Sequence, residues 1–154
     1  MSARERLAEL GLELPAVVPP LASYVPAVRT GDLVFTSGQL PMAAGVMAQT
    51  GLVGGPVTAE QATSLARTCA LNALAAIDAL VGLDSVVRVV KVVGFVASAP
   101  GFTGQPGVIN GASELLGEIF GEAGVHARSA VGVAALPLDA PVEVELVVEV
   151  APRS

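Results

Sequence analysis

Arg128 and Glu143 are the side chains of this 154-residue sequence best suited to chemistry on a small charged molecule. Arg128, one of only eight basic residues, heads the apolar run Ala130, Val131, Gly132, Val133. A guanidinium in such company must meet an anion or lose solvation free energy. That anion is Glu143, a neighbouring chain or a substrate. In residues 142–150 the carboxylates Glu143, Glu145 and Glu149 alternate with aliphatics, and a period of two sends the two sets to opposite faces of a strand. Glu149 reads as an ordinary solvated residue. The Pro-bounded turn at residues 137–141 is expected to fold the Glu143 strand back alongside Arg128, so a purely structural ion pair is one reading of the two.

Other catalytic sets are missing from the sequence. It contains no CxxC, no histidine cluster, no GxGxxG, no P-loop and no GxSxG elbow, so neither a metal nor a cofactor is expected. His126, the only histidine, reads as a solvent-exposed loop residue, with a place lining the mouth of a cleft as the alternative. Cys69 lies in an apolar helical stripe and reads as a small buried hydrophobe. Any chemistry must therefore run on arginine, glutamate, serine, tyrosine, backbone groups and water.

The elements that would position these residues follow from periodicity. Residues 2–14 form a short helix, and prolines 15, 19 and 20 force an extended connector. Residues 23–29 and 33–40 are strands joined at Thr30, Gly31 and Asp32, good hairpin-turn chemistry. Residues 42–56 are a Gly-rich loop with one short strand near 51–53. Thr58 to Gln61 is a capping box, opening a helix whose apolar positions 62, 65, 66, 69, 73, 76, 77 and 80 share a face. Residues 86–97 are, apart from Arg88 and Lys91, apolar at both parities, as in a strand covered on both sides. A second helix spans 108–123, and strands 128–136 and 142–150 close the chain. The resulting fold class is α+β, a mixed sheet with two helices packed on one face. The other face, rich in valine, is left for further subunits.

Composition sets the class of partner. The chain is 53% hydrophobic and 14% charged, more apolar than one small core needs. No uninterrupted apolar run reaches the ~18 residues of a membrane span. A net charge of −6 with scattered basic residues and few aromatics argues against nucleic acid. The lone cysteine and the charged start, without a signal-peptide core, lead to an expected cytoplasmic location.

Several short motifs occur together: YVPAV at 24–28, FTSGQLP at 35–41, Asn110 near the start of the second helix, ARSAVGVAALP at 127–137 and VEVE at 142–145. In this order they resemble the Rid/YjgF family of reactive intermediate deaminases, often labelled L-PSP endoribonuclease-like. The resemblance implies a chorismate-mutase-like fold assembled as a homotrimer, with clefts between subunits. It divides the chain into an N-terminal extension, residues 1–20, and a family domain, residues 21–154. It implies that Arg128 grips a substrate carboxylate and that Glu143 activates water. Tyr24, Ser37, Asn110 and the Ala130 backbone amide would line the ligand. The implied reaction is hydrolysis of 2-imino or 2-enamino acids to 2-oxo acids and ammonia, without a cofactor. The partners are then the chain itself and a small carboxylate-bearing metabolite. A non-catalytic carboxylate binder using the same cleft is the alternative, and RNA cleavage a third. The sequence departs from the family at Ala130, which stands where a cysteine is usual, and at Gly132.

Overall fold

A computed structural model describes every residue except 18 and 20–22. Pro20 and the expected junction between residues 20 and 21 therefore lie outside the described residues. The first helix, α1 (Ala3–Glu9), is shorter than the predicted 2–14. Ser2 caps it: its hydroxyl accepts from Glu5 N at 3.1 Å, and its own N–H donates to the Glu5 carboxylate at 2.8 Å. Leu7 is buried in the core, and Arg6 Nε donates to the Glu118 carbonyl at 2.8 Å, tying α1 to the helical layer.

Strands β1 (Ala27–Thr30) and β2 (Leu33–Thr36) form the expected hairpin, with residues 23–26 outside it. Part of the predicted loop is instead a second hairpin, β3 (Met42–Ala43) and β4 (Val46–Met47). The turn puts Ala44 and Gly45 at positive φ. From the next helix, Asn72 Nδ2 donates to the Leu40 and Met42 carbonyls, each at 3.0 Å, and anchors this hairpin. Near 51–53 there is no full strand, only bridges from Val53 to Val57 and Ser98.

Helix α2 (Ala59–Val81) opens on the Thr58–Gln61 capping box. Its 23 residues would be long enough to cross a bilayer. Its apolar stripe, including Leu65, Cys69, Ala73 and Ile77, is instead buried in the core. Strand β5 (Val86–Ala97) has its expected limits, helix α3 (Gln105–Phe120) starts and ends three residues early, and β6 (Ala127–Val133) and β7 (Val142–Val150) follow. The large sheet runs β1-β2-β7-β5-β6, with β5 and β6 parallel and the other neighbours antiparallel.

This order overturns the expected β6–β7 hairpin. The α3 crossover returns the chain parallel to β5 on one side. Residues 134–141 then carry it past the end of β5, and β7 enters between β5 and β2.

Residues paired across strands share a face. Val34, Val148, Val92, Val96, Val142, Val144 and Leu146 all point under the helices and are essentially inaccessible. The opposite face carries Val28, Phe35, Val147, Val93, Phe95 and Val131, together with Glu143 and Glu145. Among the described residues, no helix or strand covers it.

Candidate functional site

The register of β5 decides where the predicted site residues lie. Val92 pairs with Arg128, so Arg128 sits on the helix face of edge strand β6. Phe95 pairs with Glu143, so Glu143 sits on the open face of β7. Two strand spacings and three residue rises separate their Cα atoms by roughly 14 Å, on opposite sides of the sheet. The structural Arg128–Glu143 ion pair is thus excluded within one protomer.

Arg128 is half-buried between β6 and α3. Its Nη1 donates to Asn110 Oδ1 at 2.8 Å and to Ser113 Oγ at 3.2 Å. These bonds use both hydrogens of Nη1. The Nε–H and Nη2 edge of the guanidinium, the side-on fork that matches a carboxylate, has no partner among the described residues. Four other arginines are paired with carboxylates: Arg4 with Asp78, Arg6 with Glu9, Arg29 with Asp32 and Arg67 with Glu118. Among the described residues Arg128 is held by neutral oxygens and meets no carboxylate, so its charge is oriented but not compensated by them.

His126 departs from its expected exposed role. It is half-buried, with Nδ1 2.6 Å from the Gly124 carbonyl and Nε2 2.9 Å from Ser113 Oγ. Ser113 was not singled out by sequence, although a signal exists. Asn110 and Ser113 are three apart on one helical face, and His126 and Arg128 are two apart in extended chain. Ala130 pairs with Gly94 on the helix face and packs against the core. Gly94 has no room for a side chain, since a Cβ there would lie 2.5 Å from Ile109.

The second group surrounds Glu143. Gln39 N donates to the Val144 carbonyl at 2.8 Å and Val144 N to the Gln39 carbonyl at 3.0 Å, which lays residues 37–39 beside Glu143. A Cβ on Gly38 would fall 2.5 Å from Glu143 Oε2, so only glycine lets the carboxylate rest there. Ser37 Oγ donates to the Val25 carbonyl at 2.6 Å and ties this segment to the one after exposed Tyr24. The structure therefore sets Gly38, the neighbour of Ser37 in the chain, against Glu143, and Arg128 against Asn110, but does not bring one group to the other.

Burial pushes the Glu143 carboxyl above the ordinary carboxylate range, and the Glu145 charge on the same face adds to the shift. A group whose proton is held more tightly in the folded state costs stability as pH rises from its unfolded towards its folded value. Glu143→Gln should therefore raise Tm at neutral pH, with the gain vanishing below the ordinary carboxylate range. A Tm difference that grows on acidification would contradict this. Burial also pushes the Cys69 thiol well up, the Glu143 charge adding, in keeping with a packing role.

Residues 15–150 match the endoribonuclease L-PSP family profile. The chain belongs to the YjgF/Rid (L-PSP) family. It is 46% identical over 145 residues to protein TCP17 of Trypanosoma cruzi, covering 93% of this chain and 91% of that protein. The crystal structure of Atu1372 from Agrobacterium tumefaciens, described as of unknown function, has a TM-score of 0.89 at 47% identity and covers 97% of this chain and 92% of that one. Escherichia coli TdcF with bound serine gives a TM-score of 0.59 at 27% identity, over 91% and 93% of the two chains. This YjgF/Rid chain thus keeps the family's mixed α+β fold while lying nearer in shape to Atu1372 than to TdcF.

Proposed function

We propose that the protein hydrolyses reactive 2-imino and 2-enamino acids to 2-oxo acids and ammonia, in clefts between the protomers of a cytoplasmic homotrimer. The observation that carries this reading is the Arg128 guanidinium, held on two neutral oxygens with its side-on fork turned to no carboxylate of the described residues. A substrate carboxylate supplies the missing charge and is fixed by two parallel bonds. Tyr24, Ser37, Asn110 and the Ala130 backbone complete the lining.

Because Arg128 and Glu143 lie on opposite faces, a complete site takes Arg128 from one protomer and Glu143 from the next. The uncovered sheet face supports such assembly: Val28, Phe35 and Val131 expose 53%, 42% and 45% of their surface there. Apolar side chains in a row on one face favour burial against a copy. Glu143, with its raised affinity for a proton, accepts one from water as the oxygen adds to the imine carbon. The carbon–nitrogen bond then breaks and ammonia leaves with the transferred protons. The imine is intrinsically labile, so holding substrate and water in register supplies much of the acceleration. A relative solved with serine bound supports an amino-acid-sized ligand.

The test is direct. Imino acid released in situ by a pyridoxal-phosphate dehydratase should disappear faster with the purified protein present, with 2-oxo acid and ammonia rising in step. An unchanged lifetime for every imino acid tried, with pyruvate still raising Tm, would replace this reading with that of a carboxylate binder. RNA cleavage lost on Arg128→Ala would replace it with a nuclease.

A further inference from the structure

The geometry points to Ser113 and His126 as a positioning relay that sets the orientation of the Arg128 carboxylate fork. This inference rests on the proposed role of Arg128. The Gly124 carbonyl carries no proton, so at 2.6 Å His126 Nδ1 must be the donor. In the neutral ring Nε2 is then an acceptor, and the contact at 2.9 Å is a hydroxyl bond from Ser113 to His126. With its hydrogen committed there, Ser113 Oγ turns a lone pair towards Arg128 Nη1 at 3.2 Å. Every link has one direction: Arg128 donates to Ser113, Ser113 to His126, and His126 to the backbone.

The relay does two things. It gives the second Nη1 hydrogen a fixed acceptor beside Asn110, which locks the guanidinium plane and aims Nε–H and Nη2 outward. It does so without a carboxylate, whose charge would compete with the substrate for the same cation. A dyad of serine and histidine also suggests a nucleophile. Ser113 is poorly placed for that role. Its lone pair is engaged by a cation, and it sits inside α3, where backbone N–H groups are consumed by the helix and leave no oxyanion donors.

Ser113→Ala and His126→Ala should each raise KM for imino acid and Kd for pyruvate on the order of tenfold, the scale of one hydrogen bond to a charged group. The value of kcat should change far less. His126→Gln, which keeps an acceptor where Nε2 lies, should restore most of the loss; His126→Asn, which keeps only the donor to Gly124, should not. In an Arg128→Ala background neither alanine change should have a further effect. The nitrogen shifts of the single histidine should report the Nδ1–H tautomer, whatever the activity.

An Nε2–H tautomer, additivity with Arg128→Ala, or labelling of Ser113 by a fluorophosphonate would each overturn the relay. If Arg128→Ala alters neither Kd nor rate, the role of Arg128 itself fails. If it alters them while Ser113→Ala and His126→Ala do not, only the relay fails.

Discussion

Arg128→Ala should lower kcat/KM for imino acid by roughly 1,000-fold, from the loss of two charge-assisted hydrogen bonds of about 1.5–3 kcal/mol each. The protein should keep its fold, because Arg128 bonds only to Asn110 and Ser113, both reachable by solvent. Arg128→Lys should recover little, since an ammonium cannot present a planar fork. The division of the site predicts something sharper. Arg128→Ala and Glu143→Gln proteins, each inactive, should regain activity when dissociated, mixed in equal amounts and reassembled. With Arg128 from one protomer and Glu143 from its neighbour, about one quarter of sites in random cyclic trimers contain both native residues. No recovery on mixing would mean that the site does not combine Arg128 of one protomer with Glu143 of the next.

Gly111→Ala should destabilise the protein by about 3 kcal/mol, near the upper end for overpacking, and lower Tm by roughly 10 °C. A Cβ at Gly111 would lie 2.0 Å from the Thr63 carbonyl oxygen and 2.9 Å from its carbon. The obstacle is helix backbone, which cannot rotate away, so α2 and α3 must separate. Ile109, Ala112 and Leu115 would then lose close packing. The same change at Gly117, on the same helix, meets nothing within 4 Å. Gly117→Ala should stabilise by about 0.5–1 kcal/mol through helix propensity. Thermal melts of the two variants separate contact from propensity, and equal shifts would refute the close-approach argument.

Much of the fold is legible because local signals agree. The Thr58 capping box and the apolar stripe locate α2, and Val-rich runs locate β5 and β7. What escapes the sequence is the slot each strand takes. A short turn between two strands suggests a hairpin, and that inference places Arg128 beside Glu143. The α3 crossover instead commits β6 to the far edge of β5, and only the position of β7 at the centre shows the two residues to be on opposite faces. Arg128 stands out from sequence because a cation among alanines and valines requires an explanation. Ser113 does not, because a serine in a helix has an ordinary solvated reading until His126 and Arg128 are seen beside it.

The central position of β7 also bears on how the chain is made. It is the last of the seven strands among the described residues, yet it joins β1–β2 to β5–β6. As the chain leaves a ribosome, the first hairpin has no sheet to enter, and β5 lacks its long antiparallel neighbour. The sheet closes only when β7 emerges, through pairings such as Val34 with Val148 that span most of the sequence. Such distant contacts slow folding and prolong the exposure of unpaired edges. Nascent chains halted before residue 142 should therefore remain protease-sensitive and dependent on chaperones, however complete their helices.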